Sequence, residues 1–278
     1  MMTCPVGCNA PLETTNHVLP EGALLRCTKC GQLLSQCTED RYWQSMEEFE
    51  APQGTLPSER SLASRFRRSK KFLDQITRLL DKAPNDIRLL DVGCSSGAFL
   101  ADAVKMGFRA EGVEPAAGPV ATAQAAGLSV RQGLLQDMGY ADGQFDAVTL
   151  LEVIEHLQDP HALLQECQRI LRPGGILLVG TGNADSWTFA AEGARWEYLS
   201  IAGHGGHVSF YNPQSLGSLA KRSGFSVAAV RTRGVRFYEK NDCSKPVYRL
   251  AKIAGELLNA FAMLLGKGHD MAAYLKRN

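Results

Sequence analysis

Short runs of apolar residues alternate along the chain with longer segments in which apolar residues recur every three or four positions. The short runs predict β-strands, and the periodic segments predict α-helices. The predicted strands cover residues 87–92, 109–114, 128–131, 145–151, 176–181 and 225–231. The predicted helices cover residues 58–81, 98–106, 116–126, 160–171 and 212–223. This alternation predicts an α/β fold with a doubly wound, mostly parallel sheet, which binds ligands at the carboxyl ends of its strands.

The turn after the first of these strands carries the clearest chemical signal. Asp91, Gly93 and Gly97 form the pattern Asp-x-Gly-x-x-x-Gly directly before a predicted helix. Glycine lets the backbone approach a ligand closely, and the free amides at a helix start attract negative or polar groups. Glu114 ends the next strand, about 20 residues farther on, where α/β nucleotide sites place the carboxylate that binds ribose hydroxyls. The pattern therefore indicates a nucleotide-type site.

The predicted helix over residues 58–81 has one apolar face and one basic face, with Ser58 as its expected N-cap. The basic side chains are Arg60, Arg65, Arg67, Arg68, Lys70 and Lys71. Two interpretations stay open: a solvated surface, or a source of one arginine that binds an anionic group of a cofactor or acceptor.

Four of the eight cysteines lie within the first 30 residues. They form two closely spaced pairs, Cys4 with Cys8 and Cys27 with Cys30. Thiolates from two such turns complete a tetrahedral zinc shell and leave no open position, so the expected zinc is structural. A chance cluster of reduced cysteines is the alternative. We predict a zinc ribbon over residues 1–40 and a linker over residues 41–57.

Composition limits the function classes. The chain has 278 residues, 45% of them hydrophobic, which suits one large domain and a small module. The net charge of +1 gives no electrostatic attraction to nucleic acid. The first residues lack the apolar stretch of a signal peptide, and no run of apolar residues is long enough to span a membrane. We therefore expect a cytoplasmic protein with reduced cysteines.

Two further segments accompany the glycine turn: residues 145–157, FDAVTLLEVIEHL, and residues 172–175, RPGG. As a set, these motifs resemble the class I S-adenosylmethionine-dependent methyltransferases. The similarity is greatest to the ubiquinone-biosynthesis O-methyltransferases and to the methyltransferases of sugar and polysaccharide gene clusters. The resemblance covers residues 60–240. It implies a Rossmann-like, doubly wound, mostly parallel sheet of seven strands, within a methyltransferase domain over residues 58–240.

The resemblance also implies S-adenosylmethionine as the cofactor and assigns residues to it. The expected cofactor-binding residues are Asp91, Gly93, Gly97, Glu114, Asp137 and Glu152. The first three lie at the methionine and ribose side, Glu114 holds the ribose hydroxyls, and Asp137 lies near the adenine. Glu152 follows the fourth strand and faces the sulfonium. Ser95 stands where the family motif usually has its middle glycine.

Glu152, Glu155 and His156 form the sequence Glu-x-x-Glu-His, and three interpretations of it stay open. The three side chains hold a divalent ion, as is proposed for the ubiquinone-type relatives. Alternatively, His156 is a general base, since its pKa lies near neutral pH. In the third interpretation the segment is a helix start whose acids are stabilised by the helix dipole.

A connection of about 30 residues, from residue 180 to residue 211, is long enough to predict a functional insertion over the site. His207 within it is the favoured general base, and His204 is the second candidate. The alternative for His207 is a core histidine that caps the next helix. The candidate catalytic residues are therefore His207, His156 and Glu152.

The expected acceptor is a hydroxyl on a small molecule or glycan-type intermediate. The Asn/Asp-Pro-Pro-Tyr tetrapeptide of nucleic-acid amino-methyltransferases is replaced here by residues 151–154, LEVI, so nucleic acid is not the expected partner. Two alternatives remain: an RNA methyltransferase whose zinc ribbon binds substrate, and a non-enzymatic zinc-ribbon adaptor.

Residues 246–266 predict an amphipathic helix. Docking on its own domain or on a second copy in a homodimer is the favoured interpretation. The alternative is peripheral contact with the inner face of the membrane. Residues 267–278 are expected to form a frayed polar tail, so that residues 241–278 lie outside the methyltransferase domain.

Overall fold

The structure, a computed structural model, describes residues 2–38, 59–200, 206–238 and 243–278. The predicted linker, the expected N-cap Ser58 and the second base candidate His204 lie outside the described residues. The side chains of residues 59–62 lie outside them as well.

A seven-stranded sheet forms the centre of the fold. Its strands are β4 (Arg88–Val92), β5 (Arg109–Glu114), β6 (Val130–Gln132), β7 (Phe145–Leu151), β8 (Leu171–Gly182), β10 (Phe225–Arg233) and β11 (Asp270–Arg277). They lie in the order β10-β11-β8-β7-β4-β5-β6. Only β11 runs antiparallel to its neighbours, whereas the pairs from β8 to β6 are parallel. The predicted Rossmann-like sheet is therefore confirmed.

Helices cover both faces of this sheet. They are α1 (Glu59–Leu80), α2 (Ala98–Lys105), α3 (Ala117–Ala125), α4 (Pro160–Ile170), α5 (Trp187–Glu192), α6 (Pro213–Arg222) and α7 (Lys245–Leu264). Successive strand residues point to opposite faces. Thus Leu89 packs with Leu73 and Ile76 of α1, whereas Leu90 belongs to the cluster that contains Leu164 of α4. Burial on both faces explains the continuous apolar runs in the sequence.

The prediction of a frayed tail over residues 267–278 is wrong. The strand β11 lies between β8 and β10, where Met271, Ala273, Tyr274 and Leu275 are buried. The charged ends of this segment hide its apolar centre in the sequence. Its ladder partners lie far away in the chain, so local pattern does not reveal it. The central sheet consequently extends beyond residue 240.

The N-terminal cysteine module is joined to the main domain. Its strands β1 (Leu12–Leu19), β2 (Gly22–Cys27) and β3 (Leu33–Leu34) form a second sheet with β9 (Ser209–Phe210). In that sheet Leu33 pairs with Phe210. Leu24 and Leu33 also share a core cluster with Trp196 and Phe210. The module therefore supports the residues around Trp196 and Phe210, which lie over the carboxyl ends of the central strands.

Candidate active site

The turn after β4 has a left-handed backbone at three positions. The φ angles are 71° at Gly93, 48° at Ser95 and 79° at Gly97. A Cβ atom at Gly97 would lie 2.4 Å from a methyl carbon of Leu128, and one at Gly93 would lie 2.5 Å from a methyl carbon of Val153. Both positions thus require glycine, for backbone conformation and for space. Ser95 adopts the same left-handed conformation without a glycine.

Glu114 lies at the carboxyl end of β5, directly beside this turn. Its carboxylate accepts hydrogen bonds from the backbone amides of Ser95, at 2.9 Å, and Ala116, at 3.0 Å. The side chain remains partly exposed. The structure therefore brings Glu114 and the glycine turn together, as the sequence predicts.

Asp91 and Asp137 occupy different environments at the same edge of the sheet. Asp91 is buried and accepts a hydrogen bond of 2.6 Å from the Thr149 hydroxyl of the neighbouring strand. Burial raises the pKa of Asp91 to about 7. This carboxyl thus lies beneath the turn and links β4 to β7. Asp137 is exposed in the short helical turn Leu135–Asp137 that follows β6.

A cavity of about 460 Å³ opens at the carboxyl ends of β7 and β10. Its polar lining residues are Arg68, Glu152, Glu197, Tyr198, Arg236, His269 and Asp270. Because β11 runs antiparallel, its first residue, Asp270, lies at this edge. Among the basic residues of α1 whose side chains are described, Arg68 lines the cavity.

Glu152 is the titratable group of the cavity that directly follows β7. It follows β7 with a φ angle of 56°, a conformation that side chains rarely adopt. Burial raises the pKa of Glu152 to about 7. The Tyr198 hydroxyl donates a hydrogen bond of 3.3 Å to its Oε1. Burial and the charge of Glu152 raise the pKa of Glu155 well above its usual range, which favours its neutral form.

The two candidate histidines lie behind Tyr198. His207 is buried, and its Nδ1 lies 2.7 Å from the carbonyl oxygen of Tyr198. A carbonyl only accepts, so this nitrogen carries a proton. The rings of His207 and His156 pack edge to face with centroids 4.6 Å apart. His207 does not line the cavity but holds the backbone of the tyrosine that bonds Glu152.

Three cavity residues that no sequence motif singles out form a network: Glu197, Arg236 and His269. Trp196 donates its ring N–H to His269 Nδ1 at 3.2 Å, so the proton of a neutral His269 is on Nε2. Nε2 donates to Glu197 at 2.8 Å, and Arg236 forms an ion pair with the same carboxylate. Although burial raises the pKa of Glu197, these contacts lower it to about 2. The segments involved lack motif spacing, so no sequence signal joins them.

Comparison with known proteins places these observations in a family. A family model described as a methyltransferase domain matches residues 63–230, more than half of the chain. The chain belongs to this methyltransferase family. A ubiquinone biosynthesis O-methyltransferase of Dinoroseobacter shibae is 34% identical over 171 residues, which cover 55% of this chain and 69% of that relative. The one from Pseudomonas aeruginosa is 31% identical over 151 residues, which cover 50% and 65%.

A crystal structure of a SAM dependent methyltransferase from Archaeoglobus fulgidus shares the fold. The TM-score is 0.53 at 18% identity, and the match covers 75% of this chain and 94% of that chain. This likeness confirms the fold, whereas the family match and the relatives confirm the predicted class, an S-adenosylmethionine-dependent methyltransferase. The match to the Pseudomonas relative spans less than two thirds of that protein.

The four N-terminal cysteines of the methyltransferase converge. Their sulfur atoms all lie within 4.8 Å of one another, and the sulfurs of Cys4 and Cys30 are 3.7 Å apart. Tetrahedral zinc with Zn–S bonds of about 2.3 Å needs sulfurs about 3.8 Å apart, so the cluster fits zinc. Within the described ranges, no second group of three His, Cys, Asp or Glu ligand atoms is as close. Glu152, Glu155 and His156 are therefore not arranged around a common point.

Proposed function

We propose that this methyltransferase transfers the methyl group of S-adenosylmethionine to a hydroxyl of a small-molecule or glycan-type acceptor. The observation that carries the proposal is Glu152, a carboxyl with a pKa of about 7 that lines the cavity and precedes Val153, whose side chain lies against Gly93 of the glycine turn. A general base works best when its pKa lies near the working pH. The names of the relatives, O-methyltransferases, agree with a hydroxyl acceptor.

The cofactor residues follow from the turn after β4. Gly93 and Gly97 give the turn the left-handed backbone that follows the cofactor, Glu114 binds the ribose hydroxyls, and Asp137 lies at the adenine side. Asp91 positions the turn from below through its bond to Thr149. When bound, S-adenosylmethionine supplies an electrophilic methyl group on its sulfonium.

Each cavity residue has a role in the proposed transfer. Glu152 accepts the proton of the acceptor hydroxyl as that oxygen attacks in line. Tyr198 orients the Glu152 carboxylate, and His207 fixes the Tyr198 backbone. Arg68 binds a negative or polar group of the acceptor. In this scheme His207 is a positioning residue, and His156 supports it through ring packing.

We further propose that Cys4, Cys8, Cys27 and Cys30 hold one structural zinc ion. Four thiolates fill a tetrahedral shell, which suits a structural role. No disulfide joins any of the eight cysteines, all of which lie in the described residues, and we propose a cytoplasmic location, where thiols stay reduced.

Replacing Glu114 with alanine is expected to weaken binding of S-adenosylhomocysteine by about 1–3 kcal/mol, because charge-assisted hydrogen bonds to the ribose are lost. Titration calorimetry measures this change. Glu111→Ala, on the same strand but away from its carboxyl end, serves as the control and should bind normally. Equal affinity in Glu114→Ala would show that this carboxylate does not hold the ribose.

The acceptor class is tested by turnover. The purified enzyme is incubated with S-adenosylmethionine and a panel of hydroxylated aromatics, sugars and their amino analogues. Formation of S-adenosylhomocysteine is followed, and products are analysed by mass spectrometry and NMR. We expect O-methyl products. Products methylated only on nitrogen or carbon would overturn the proposed acceptor while leaving the cofactor proposal standing.

A further inference from the structure

The helix α7 is attached to the sheet through small residues. A Cβ atom on Gly255 would lie 2.4 Å from the carbonyl oxygen of Val235, which lies in the loop after β10. The helix backbone therefore packs directly on this loop. Ala262 is completely buried on the same side. The Asn259 side chain accepts a hydrogen bond of 2.9 Å from the Gly234 amide. These contacts identify the inner face of the helix.

The opposite side of α7 exposes large apolar side chains. Six of them form what we call the outer apolar stripe: Leu250, Ile253, Leu257, Phe261, Leu264 and Leu265. They recur at intervals of three and four residues and therefore share one side of the helix. Leu257 is 72% exposed and Leu264 is 83% exposed. A continuous apolar stripe of this kind marks an interaction surface.

A basic strip runs beside the outer apolar stripe. Lys245, Arg249 and Lys252 are exposed and recur at intervals of four and three residues, so they share the neighbouring side of the helix. Glu256 is the acid on this strip and lies 3.9 Å from Lys252. Three basic residues and one acid leave an excess of positive charge, which matches an anionic lipid surface.

Length and charge favour a bilayer surface over a second copy of the chain. From Leu250 to Leu265 the stripe is about 22 Å long at 1.5 Å per residue, shorter than the apolar core of a bilayer. Within the described ranges, none of the helices has both the length and the apolar character that crossing a membrane requires. Among its charged side chains α7 has three basic residues and one acid, so a second copy of this helix offers little negative charge to match the basic strip, whereas an anionic lipid surface does.

We propose that the outer apolar stripe of α7 docks the methyltransferase on the surface of an anionic membrane. The stripe enters the headgroup region, and the basic strip contacts lipid phosphates. The loop that carries α7, residues 234–236, also lines the acceptor cavity, so membrane contact occurs beside that cavity. The proposal concerns a surface apart from the cofactor residues and does not depend on the acceptor.

Vesicle flotation tests the proposal with the full chain. The wild type should float with vesicles of phosphatidylcholine and phosphatidylglycerol, more weakly with phosphatidylcholine alone, and less as salt increases. The double variant Leu257→Gln/Phe261→Gln should lose at least about tenfold in vesicle affinity, because two large side chains no longer enter lipid. The control Val18→Gln/Val104→Gln changes exposed apolar residues elsewhere and should bind like the wild type.

Two results would overturn the proposal. One is a wild type that does not bind anionic vesicles. The other is a dimer in light scattering that the Leu257→Gln/Phe261→Gln variant converts to monomers, since the stripe would then be a contact between copies. Binding of S-adenosylhomocysteine is measured for every variant and should be unchanged. A wild type that does not bind S-adenosylhomocysteine would refute the cofactor proposal. The result of the vesicle experiment would still stand, because it does not depend on cofactor binding.

Discussion

Glu152→Gln is expected to lower kcat/KM for the acceptor by about 10²–10⁴-fold, because the amide cannot accept the proton of the attacking hydroxyl. The substitution keeps the size of the side chain and its contact with Tyr198. Binding of S-adenosylhomocysteine should therefore change little. Steady-state kinetics and calorimetry on the same preparation separate the two effects.

The pH dependence of wild-type turnover should follow the Glu152 carboxyl. Burial raises its pKa to about 7, so at lower pH the group is protonated and inactive as a base. The value of kcat/KM should rise with pH through about 7 and then level off, since that ratio reports the free enzyme. A profile that falls over this range would exclude the carboxylate as the base.

The matched control is Glu155→Gln. Glu155 is buried and its pKa is raised well above its usual range, which favours the neutral form that an amide resembles. We expect its turnover to stay close to that of the wild type and its pH profile to keep the rising limb. If Glu155→Gln loses activity as strongly as Glu152→Gln, the two acids act as one unit. If Glu152→Gln remains fully active, the role of base returns to His207 or His156.

The second large effect is expected in the cysteine module. Cys27→Ser/Cys30→Ser should eliminate the bound zinc and lower acceptor methylation at least about a hundredfold, since zinc binding supplies about 10–16 kcal/mol to the folding of small zinc modules. Metal analysis should find about one zinc per chain in the wild type. The same purified samples are then assayed for turnover.

We expect this loss of activity because the cysteine module contacts the cavity wall. Its strand β3 pairs with β9, which follows His207, and the Asn212 side chain donates a hydrogen bond of 3.1 Å to the Cys30 carbonyl. Leu24 shares a core cluster with Tyr198. Loss of the metal should therefore loosen the wall that carries Tyr198. The glycine turn follows β4 and does not line the cavity, so we expect binding of S-adenosylhomocysteine to be retained.

Cys37→Ser provides the control, because this cysteine belongs to the same module but not to the metal cluster. It should keep both zinc and activity. Full turnover in a metal-free Cys27→Ser/Cys30→Ser variant would show that the module does not support the acceptor site. Loss of cofactor binding together with turnover would instead point to unfolding of the whole chain.

Much of the fold could be predicted because its signals are local. The buried strands β4 and β7 are short apolar runs, and the turn between β4 and α2 needs glycines at fixed positions. The pairing of that turn with Glu114 follows from parallel topology, since the carboxyl ends of parallel strands meet at one edge. The cysteine spacing likewise predicted a cluster, because two tight turns bring thiols to one point.

The cavity could not be predicted in this way. Its walls come from α1, from the segment around Glu197, from the loop at Arg236 and from the start of β11. None of these segments carries a recognisable sequence motif, and His269 and Asp270 lie in a segment that the sequence predicts to be frayed. The position of His207 behind Tyr198, rather than in the cavity, also depends on how the cysteine module packs.

The sequence by itself thus determined the α/β class, the cofactor turn with its acidic partner and the cysteine cluster. These features depend on backbone conformation and side-chain periodicity within short segments. The tertiary structure decided which carboxyls and which arginines line the cavity, where the last strand inserts and which side of α7 is left uncovered. Such contacts join residues far apart in the chain, and their burial and pKa values arise only when those segments pack together.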